Sequence, residues 1–256
     1  MRIPTEFKAT QLADYVRCPN FFYLKYVAKV RTKTSGTTHL GACFNRAIKQ
    51  AILTNSGDAK ETFYHHFWNP ETWDHSEPIE VDFKDKNPNQ LEKDGLKYLK
   101  LYLETRLADL QIIKVDKVIE YWAGMEDLSM IDEPGRTKVS TRIDFVTPRG
   151  LLNIKTSRKK LTQFNVQSNF LTQLQLVAVH GITDNKQICL DNVVKLKDEP
   201  YIQSFALDVP LNSILRAIST LIKVIKAINQ EIFYPTINYA CENACVYKDI
   251  CQGGTE

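Results

Sequence analysis

No apolar run in this sequence approaches the ~20 residues that cross a bilayer as a helix, so no helical membrane span is expected within its 256 residues. The opening stretch, MRIPTEFKATQLADY, lacks the apolar segment of a secretory signal. The expectation is therefore a cytoplasmic protein. Charge of one sign is also scarce: 33 Lys and Arg stand against 30 Asp and Glu, a formal net charge of +3. That balance alone does not mark a nucleic-acid binder. Local clusters are more suggestive, namely Lys25, Lys29, Arg31 and Lys33 near the start and Arg158, Lys159 and Lys160 later. No internal repeat or low-complexity block appears, which argues against a solenoid or a tethering tail.

What is present is ordinary globular composition, 43% apolar and 25% charged. A chain of this length can bury a core without a covalent staple, and one domain over residues 1–256 is expected. Residues 10–28 read as a helix interrupted at Cys18-Pro19. Gly41 to Leu53 reads as another, with Phe44, Ala47, Ile48, Ala51 and Ile52 on one side. Residues 54–88 read as irregular, with Trp68 and Trp73 as packing anchors. Asn89 is expected to cap a helix carrying Leu96, Leu99, Leu103, Leu107 and Leu110 at three- and four-residue spacing.

The middle of the chain switches to period two. Strands are expected at 112–121, 139–146 and 151–156, the last two joined by the turn Thr147-Pro148-Arg149-Gly150. A helix over 167–180 closed by Gly181 follows, then strands at 188–196 and 202–209 and an amphipathic helix over 211–232. This order indicates an α/β fold, a mixed central sheet flanked by helices.

Strand parity singles out the central hairpin, TRIDFVTPRGLLNIKTSRKK. Ile143 and Phe145 should point one way and Asp144 the other; Leu152 and Ile154 should oppose Asn153 and Lys155. If the apolar sides share the core, Asp144, Asn153 and Lys155 meet on the opposite face. A carboxylate, a second oxygen ligand and an ammonium together suit a hard cation such as Mg²⁺ or Mn²⁺. Such a cation activates water and polarises a phosphodiester.

The spacing Asp144-x₈-Asn153-x-Lys155, followed by Thr156-Ser157, resembles the catalytic core of the PD-(D/E)XK superfamily, and more narrowly its RecB-like branch. Gln173 in TQLQLVAV resembles that family's Gln-x-x-x-Tyr helix, with Val177 at the tyrosine position. LGACFNRAIKQ is similar to its Gly-x-x-x-His helix, with Asn45 at the place of the metal-binding histidine. The resemblance implies a restriction-endonuclease-like core in which Asp144, the residue-153 side chain, the Ile154 carbonyl and the residue-45 side chain hold a metal. Lys155 would then assist the attacking water. Asn153 stands where the family has a carboxylate, so two ligand positions are neutral amides. The sequence leaves two readings open: a nuclease attenuated at residue 153, or a protein of the same fold that binds DNA or partners without cleaving.

The six cysteines divide unevenly. Cys43 and Cys189 read as small core residues. Cys241, Cys245 and Cys251 fall within eleven residues of the tail, and Cys18 lies far upstream. In a reducing compartment such thiols more often bind metal than pair with one another. Four thiolates suit tetrahedral zinc and an iron–sulfur cluster equally. The one-plus-three arrangement resembles the iron–sulfur branch of the RecB-like nucleases, including CRISPR adaptation exonucleases and AddAB-type nuclease domains. That resemblance implies a [4Fe–4S] cluster joining segments 1–40 and 233–256 into one lobe. It also implies action on DNA, as single strands or duplex ends, in recombination, repair or phage or CRISPR processing, with a helicase or recombination partner and no membrane.

Overall fold

The computed structural model describes residues 4–54, 58–70, 79–84, 86–124, 128–129, 135–180, 187–194, 199–207, 210–237, 241 and 245–251. Among them a sheet is built from β4 (Lys114–Ala123), β5 (Leu128–Ser129), β6 (Thr137–Thr147), β7 (Gly150–Ser157), β8 (Ile188–Val194) and β9 (Tyr201–Leu207), with β1 (Glu6–Lys8) beside β6. The strands run in the order β5-β4-β6-β7-β8-β9. β7 and β8 are parallel; the β4/β6, β6/β7 and β8/β9 pairs are antiparallel. This is the mixed sheet expected from the sequence.

Helices cover both faces. One core layer packs α1 (Ala9–Arg17), α7 (Phe170–His180) and α8 (Leu211–Asn229) against Ile119, Tyr121, Val139, Ile143 and Leu151. The other packs α3 (Gly36–Thr54), α4 (Ala59–Trp68) and α5 (Pro88–Thr105) against Phe145, Leu152, Ile154 and Val193. β7 is thus buried on both sides through Ile154, which explains its nearly unbroken apolar run.

Local chemistry sets the element ends. Asn87, not Asn89, caps α5: its side chain accepts from the Asn89 N–H at 2.9 Å, with Pro88 in the first turn where no donor is needed. α8 buries Ile214, Ala217, Leu221, Val224, Ile225 and Ile228, a stripe at helical spacing. Gly150 turns the β6/β7 hairpin at φ +133°, where an added Cβ would sit 2.3 Å from the Gln187 carbonyl oxygen; only glycine suits that position.

Three further expectations need revision. The stretch read as irregular contains α4, whose Phe63 and Phe67 are core residues. Trp68 is 38% exposed and rests on Glu92 through its indole N–H, so it is no anchor; Trp73 lies outside the described residues. The helix expected over 167–180 is two, α6 (Gln163–Gln167) and α7, separated because Asn169 accepts from the Thr172 N–H and starts a new helix. Gly181, its expected closing residue, lies outside the described residues. Among the described residues no helix is long and apolar enough to cross a membrane.

One buried polar cluster ties α5 to the sheet. Asp191 on β8, fully buried, accepts from Tyr102 Oη at 2.9 Å, Arg106 Nε at 2.8 Å and Ser204 Oγ at 2.6 Å. Burial, then the carboxylate, drives the Tyr102 pKa far upward, and the hydrogen bond to Asp191 raises that of Arg106. Removing the carboxylate strands a guanidinium and a phenol, so Asp191→Ala should cost about 3 kcal/mol of unfolding free energy, read as a lower urea midpoint at unchanged slope.

Candidate active site

The site forms where β6 and β7 part. Their ladder pairs Thr147 with Gly150, Val146 with Leu151 and Phe145 with Leu152. Beyond that point the Asp144 side chain replaces the ladder: its Oδ2 accepts from the Ile154 N–H at 3.0 Å. Asn153 Oδ1 in turn accepts from the Asp144 N–H at 3.3 Å. The two residues singled out by spacing therefore hold each other's strand through reciprocal contacts.

Strand alternation slips at this point. Ile143 packs in one core layer and Phe145 in the other, so the expectation that they share a face fails. The same exchange occurs on β4 between Ile119 and Val115. Between these positions Asp116 adopts φ +53°, the left-handed region, which costs a non-glycine residue free energy and is most tolerable for Asp or Asn. On β7 the alternation holds, but Asp144 pairs with Lys49 on the α3 side, so it does not share the face of Asn153. Leu152 and Ile154 lie in the α3/α5 layer. Asn153 turns toward α7, where its Nδ2 donates to Gln175 Oε1 at 3.0 Å.

Helix α3 supplies the other wall. Gly41 lets it approach β7, since a Cβ there would lie 2.9 Å from Thr156 Oγ1. One turn later Asn45 Nδ2 donates to the Ile154 carbonyl at 3.3 Å. Asn45 Oδ1 is buried with no hydrogen-bond partner. One turn further, Lys49 reaches two carboxylates, Asp144 Oδ1 at 2.7 Å and Asp116 Oδ1 at 2.6 Å. Lys49 and Asp116 were missed in the sequence. The Lys49 signal was there, because Gly41, Asn45 and Lys49 share one face at four-residue spacing.

Gln173 does not join the cluster: its Nε2 donates to the Gln167 carbonyl at 3.1 Å. Gln175 does instead, bonding the Arg142 carbonyl at 3.1 Å with its amide nitrogen while accepting from Asn153. Val177, the tyrosine position of the resemblance, is a core residue.

These donors do not fit a divalent cation as they stand. Asp144 contributes charge, but both its oxygens are engaged; the Asn153 oxygen and the Ile154 carbonyl also face N–H donors. Among the described residues no three His, Cys, Asp or Glu side chains assemble a metal-ion site.

The cysteines of the two chain ends come together elsewhere. Tyr15 Oη donates to the Ile232 carbonyl at 2.6 Å, the Asn20 N–H to the Tyr234 carbonyl at 3.1 Å, and Tyr247 Oη to the Val30 carbonyl at 3.1 Å. Phe21 meets Tyr247 edge-on with ring centroids 5.2 Å apart. Cys18, Cys241, Cys245 and Cys251 consequently line one mainly apolar cavity of about 410 Å³. They stand around its walls and do not close on a single ion. Cys43, by contrast, is fully buried, and burial pushes its thiol up to about 12, as suits a core residue. Cys189 is partly buried against the α3/α5 layer.

Lys155 offers a pH test. Its side chain keeps an exposed portion, yet desolvation by the surrounding protein lowers its pKa, with Asp144 pulling the other way. A lysine with a lowered folded pKa binds fewer protons folded than unfolded. Its contribution to stability therefore rises with pH from the folded pKa up to the ordinary value near ~10.4. The stability of wild-type protein relative to Lys155→Met should increase across that alkaline window, measured as the difference in urea midpoints; a constant difference contradicts the assignment.

The comparisons with known proteins come to the same fold. No curated protein matches the sequence. Among solved structures, a "Putative exonuclease" from Eubacterium rectale is 12% identical, with 98% of this chain and 89% of that one covered and a TM-score of 0.59. SSO0001 is 14% identical over 96% of this chain and 97% of its own, with a TM-score of 0.40. The family profile of the PD-(D/E)XK nuclease superfamily matches residues 6–252, nearly the whole chain, and the protein belongs to that superfamily.

Proposed function

We propose that this protein is a DNA-end-processing member of its superfamily, built as an exonuclease and attenuated at its own cleavage centre. One observation carries the reading: Asp144, Asn153 and the Ile154 backbone interlock where β6 and β7 diverge, in a chain of a nuclease superfamily. Members of the superfamily generally use divalent metals and act on DNA. Asp144 is the charged ligand position, Asn153 the second, Lys155 the group beside the reacting phosphate, and Gln175 the residue that orients Asn153. The attenuation follows from charge. Cation affinity in oxygen sites tracks the number of carboxylates, and an amide at residue 153 removes one.

The cavity of Cys18, Cys241, Cys245 and Cys251 supports a resident [4Fe–4S] cluster. Four thiols around some 410 Å³ of mainly apolar space suit a group of several atoms. A lone zinc ion needs four sulfurs converging at about 2.3 Å each. When bound, the cluster would supply sulfur–iron bonds between residue 18 and the 240s, closing a very long loop and stabilising the whole domain. The lobe so formed takes in segments 1–40 and 233–256 of a single domain. DNA single strands or duplex ends are the substrates this architecture suits. A recombination, repair or CRISPR or phage setting in the cytoplasm, with a helicase or recombination partner, is the matching context.

The test is a cleavage and binding assay on end-labelled single-stranded and duplex DNA with Mg²⁺ and with Mn²⁺. Wild-type protein should bind DNA with affinity that falls steeply as salt rises and cleave slowly, whereas Asn153→Asp should cleave at least about tenfold faster. Absence of DNA binding in both forms overturns the reading. Binding without cleavage in either identifies the second reading, a non-catalytic DNA-binding or assembly protein, which the saturated oxygens around Asp144 favour. Anaerobically purified protein should absorb broadly near ~400 nm through its cluster; colourless protein with stoichiometric zinc contradicts the cluster.

A further inference from the structure

The Asp144 centre contains a cation of its own. Lys49 Nζ lies 2.7 Å from Asp144 Oδ1 and 2.6 Å from Asp116 Oδ1, and its side chain is only 14% exposed. An ammonium this little exposed is held only where its partners offset its desolvation, and here two carboxylates do so. The partners are arranged to hold it. Asp116 reaches Lys49 from a strand position with left-handed backbone, φ +53°, a conformation kept only where surrounding structure enforces it. Asp144 Oδ2 is fixed by the Ile154 N–H, so Oδ1 is left for Lys49.

The neighbouring oxygens are closed as well. The Ile154 carbonyl takes the Asn45 amide and Asn153 Oδ1 takes the Asp144 N–H. Arg142 Nε lies 4.0 Å from Asp116 Oδ1, and Lys155 interacts electrostatically with Asp144. Three cationic side chains thus surround two carboxylates. A divalent ion entering here would meet no net negative charge, and the buried oxygen left without a hydrogen-bond partner, Asn45 Oδ1, is a neutral amide.

We propose that Lys49 is the resident counter-ion of this centre: its ammonium, clamped between Asp144 and Asp116, neutralises the site and keeps divalent cations out. This rests on the reading of Asp144 as the charged residue of the cleavage centre. It goes beyond the attenuation at residue 153, because it places a second block on helix α3, one that the added carboxylate of Asn153→Asp offsets only in part. Lys49 acts through the carboxylates it pairs with and is a positioning residue.

The experiment measures Mn²⁺ binding to the full chain directly, by electron paramagnetic resonance of the free ion, so that no cleavage is needed. Wild-type protein should bind Mn²⁺ only weakly, approaching saturation at millimolar concentration or above. Lys49→Met should bind Mn²⁺ at least about tenfold more tightly, and its melting temperature, lowered without metal, should recover when Mn²⁺ is added. Equal affinity of the two proteins overturns the proposal. In case Lys49→Met is too unstable to purify, amine acetylation of wild-type protein followed by mass spectrometry gives a second measure. Lys49 should stay protected, relative to exposed Lys84, with and without Mn²⁺; a Lys49 that Mn²⁺ makes reactive is displaceable, which overturns the proposal. DNA binding of wild-type protein, run in parallel, separates the outcomes. Its loss sinks the functional reading, while the Mn²⁺ result judges Lys49 alone.

Discussion

The contact on which the site depends is the one between the Asp144 carboxylate and the Ile154 N–H. Two antiparallel strands can part only if the backbone groups at the fork find other partners, since a buried unsatisfied amide costs about 1–3 kcal/mol. Here a side chain takes over the ladder just where the ladder ends. The fork opens a gap at the middle of a sheet otherwise covered on both faces, and α3 and α7 send Asn45, Lys49 and Gln175 into it. The slip in strand alternation and the left-handed Asp116 follow from the same divergence. Chemistry in this fold is thus concentrated where regular hydrogen bonding stops.

Both Asp144 oxygens, the Asn153 oxygen and the Ile154 carbonyl each face a nitrogen donor at that fork, while Asn45 Oδ1 has none. The charged groups at the fork are thus paired with one another, as in a structural junction. Two changes of residue type account for it. Amides at 45 and 153 donate where a cation centre would accept, and the Lys49 ammonium supplies positive charge from within. The chain keeps the fold of its superfamily, with a lysine ammonium between the two carboxylates at the fork. Elsewhere, contacts between the N-terminal helix and the tail gather four thiols around one cavity.

The sheet, the central hairpin and most helices were legible because period-two and helical patterns are strong there, and the mixed α/β class followed from their order. α4 was not, because its buried positions are Ala59, Phe63 and Phe67 in a stretch otherwise rich in His and Asn. The nearness of Asp144 and Asn153 was legible from strand parity and the family resemblance, whereas their reciprocal hydrogen bonds were not. The exchange of faces at Asp144 was not, since parity assumes uninterrupted strands and Asp116 breaks the run without a glycine to announce it. Gln173 was named from the resemblance to the Gln-x-x-x-Tyr helix, whereas the helix's rotation, which the sequence does not give, brings Gln175 to Asn153. Lys49 was overlooked because one lysine on a helix is ordinarily solvated, and its spacing from Gly41 and Asn45 does not reveal that carboxylates from two distant strands meet it.

A crystal structure of anaerobically purified protein grown with Mn²⁺, with anomalous scattering recorded at the manganese and iron edges, tests the account most directly. It should place iron density among Cys18, Cys241, Cys245 and Cys251, and leave Lys49 on Asp144 and Asp116 with no manganese peak between them. A manganese peak at Asp144 with Lys49 swung away would contradict it.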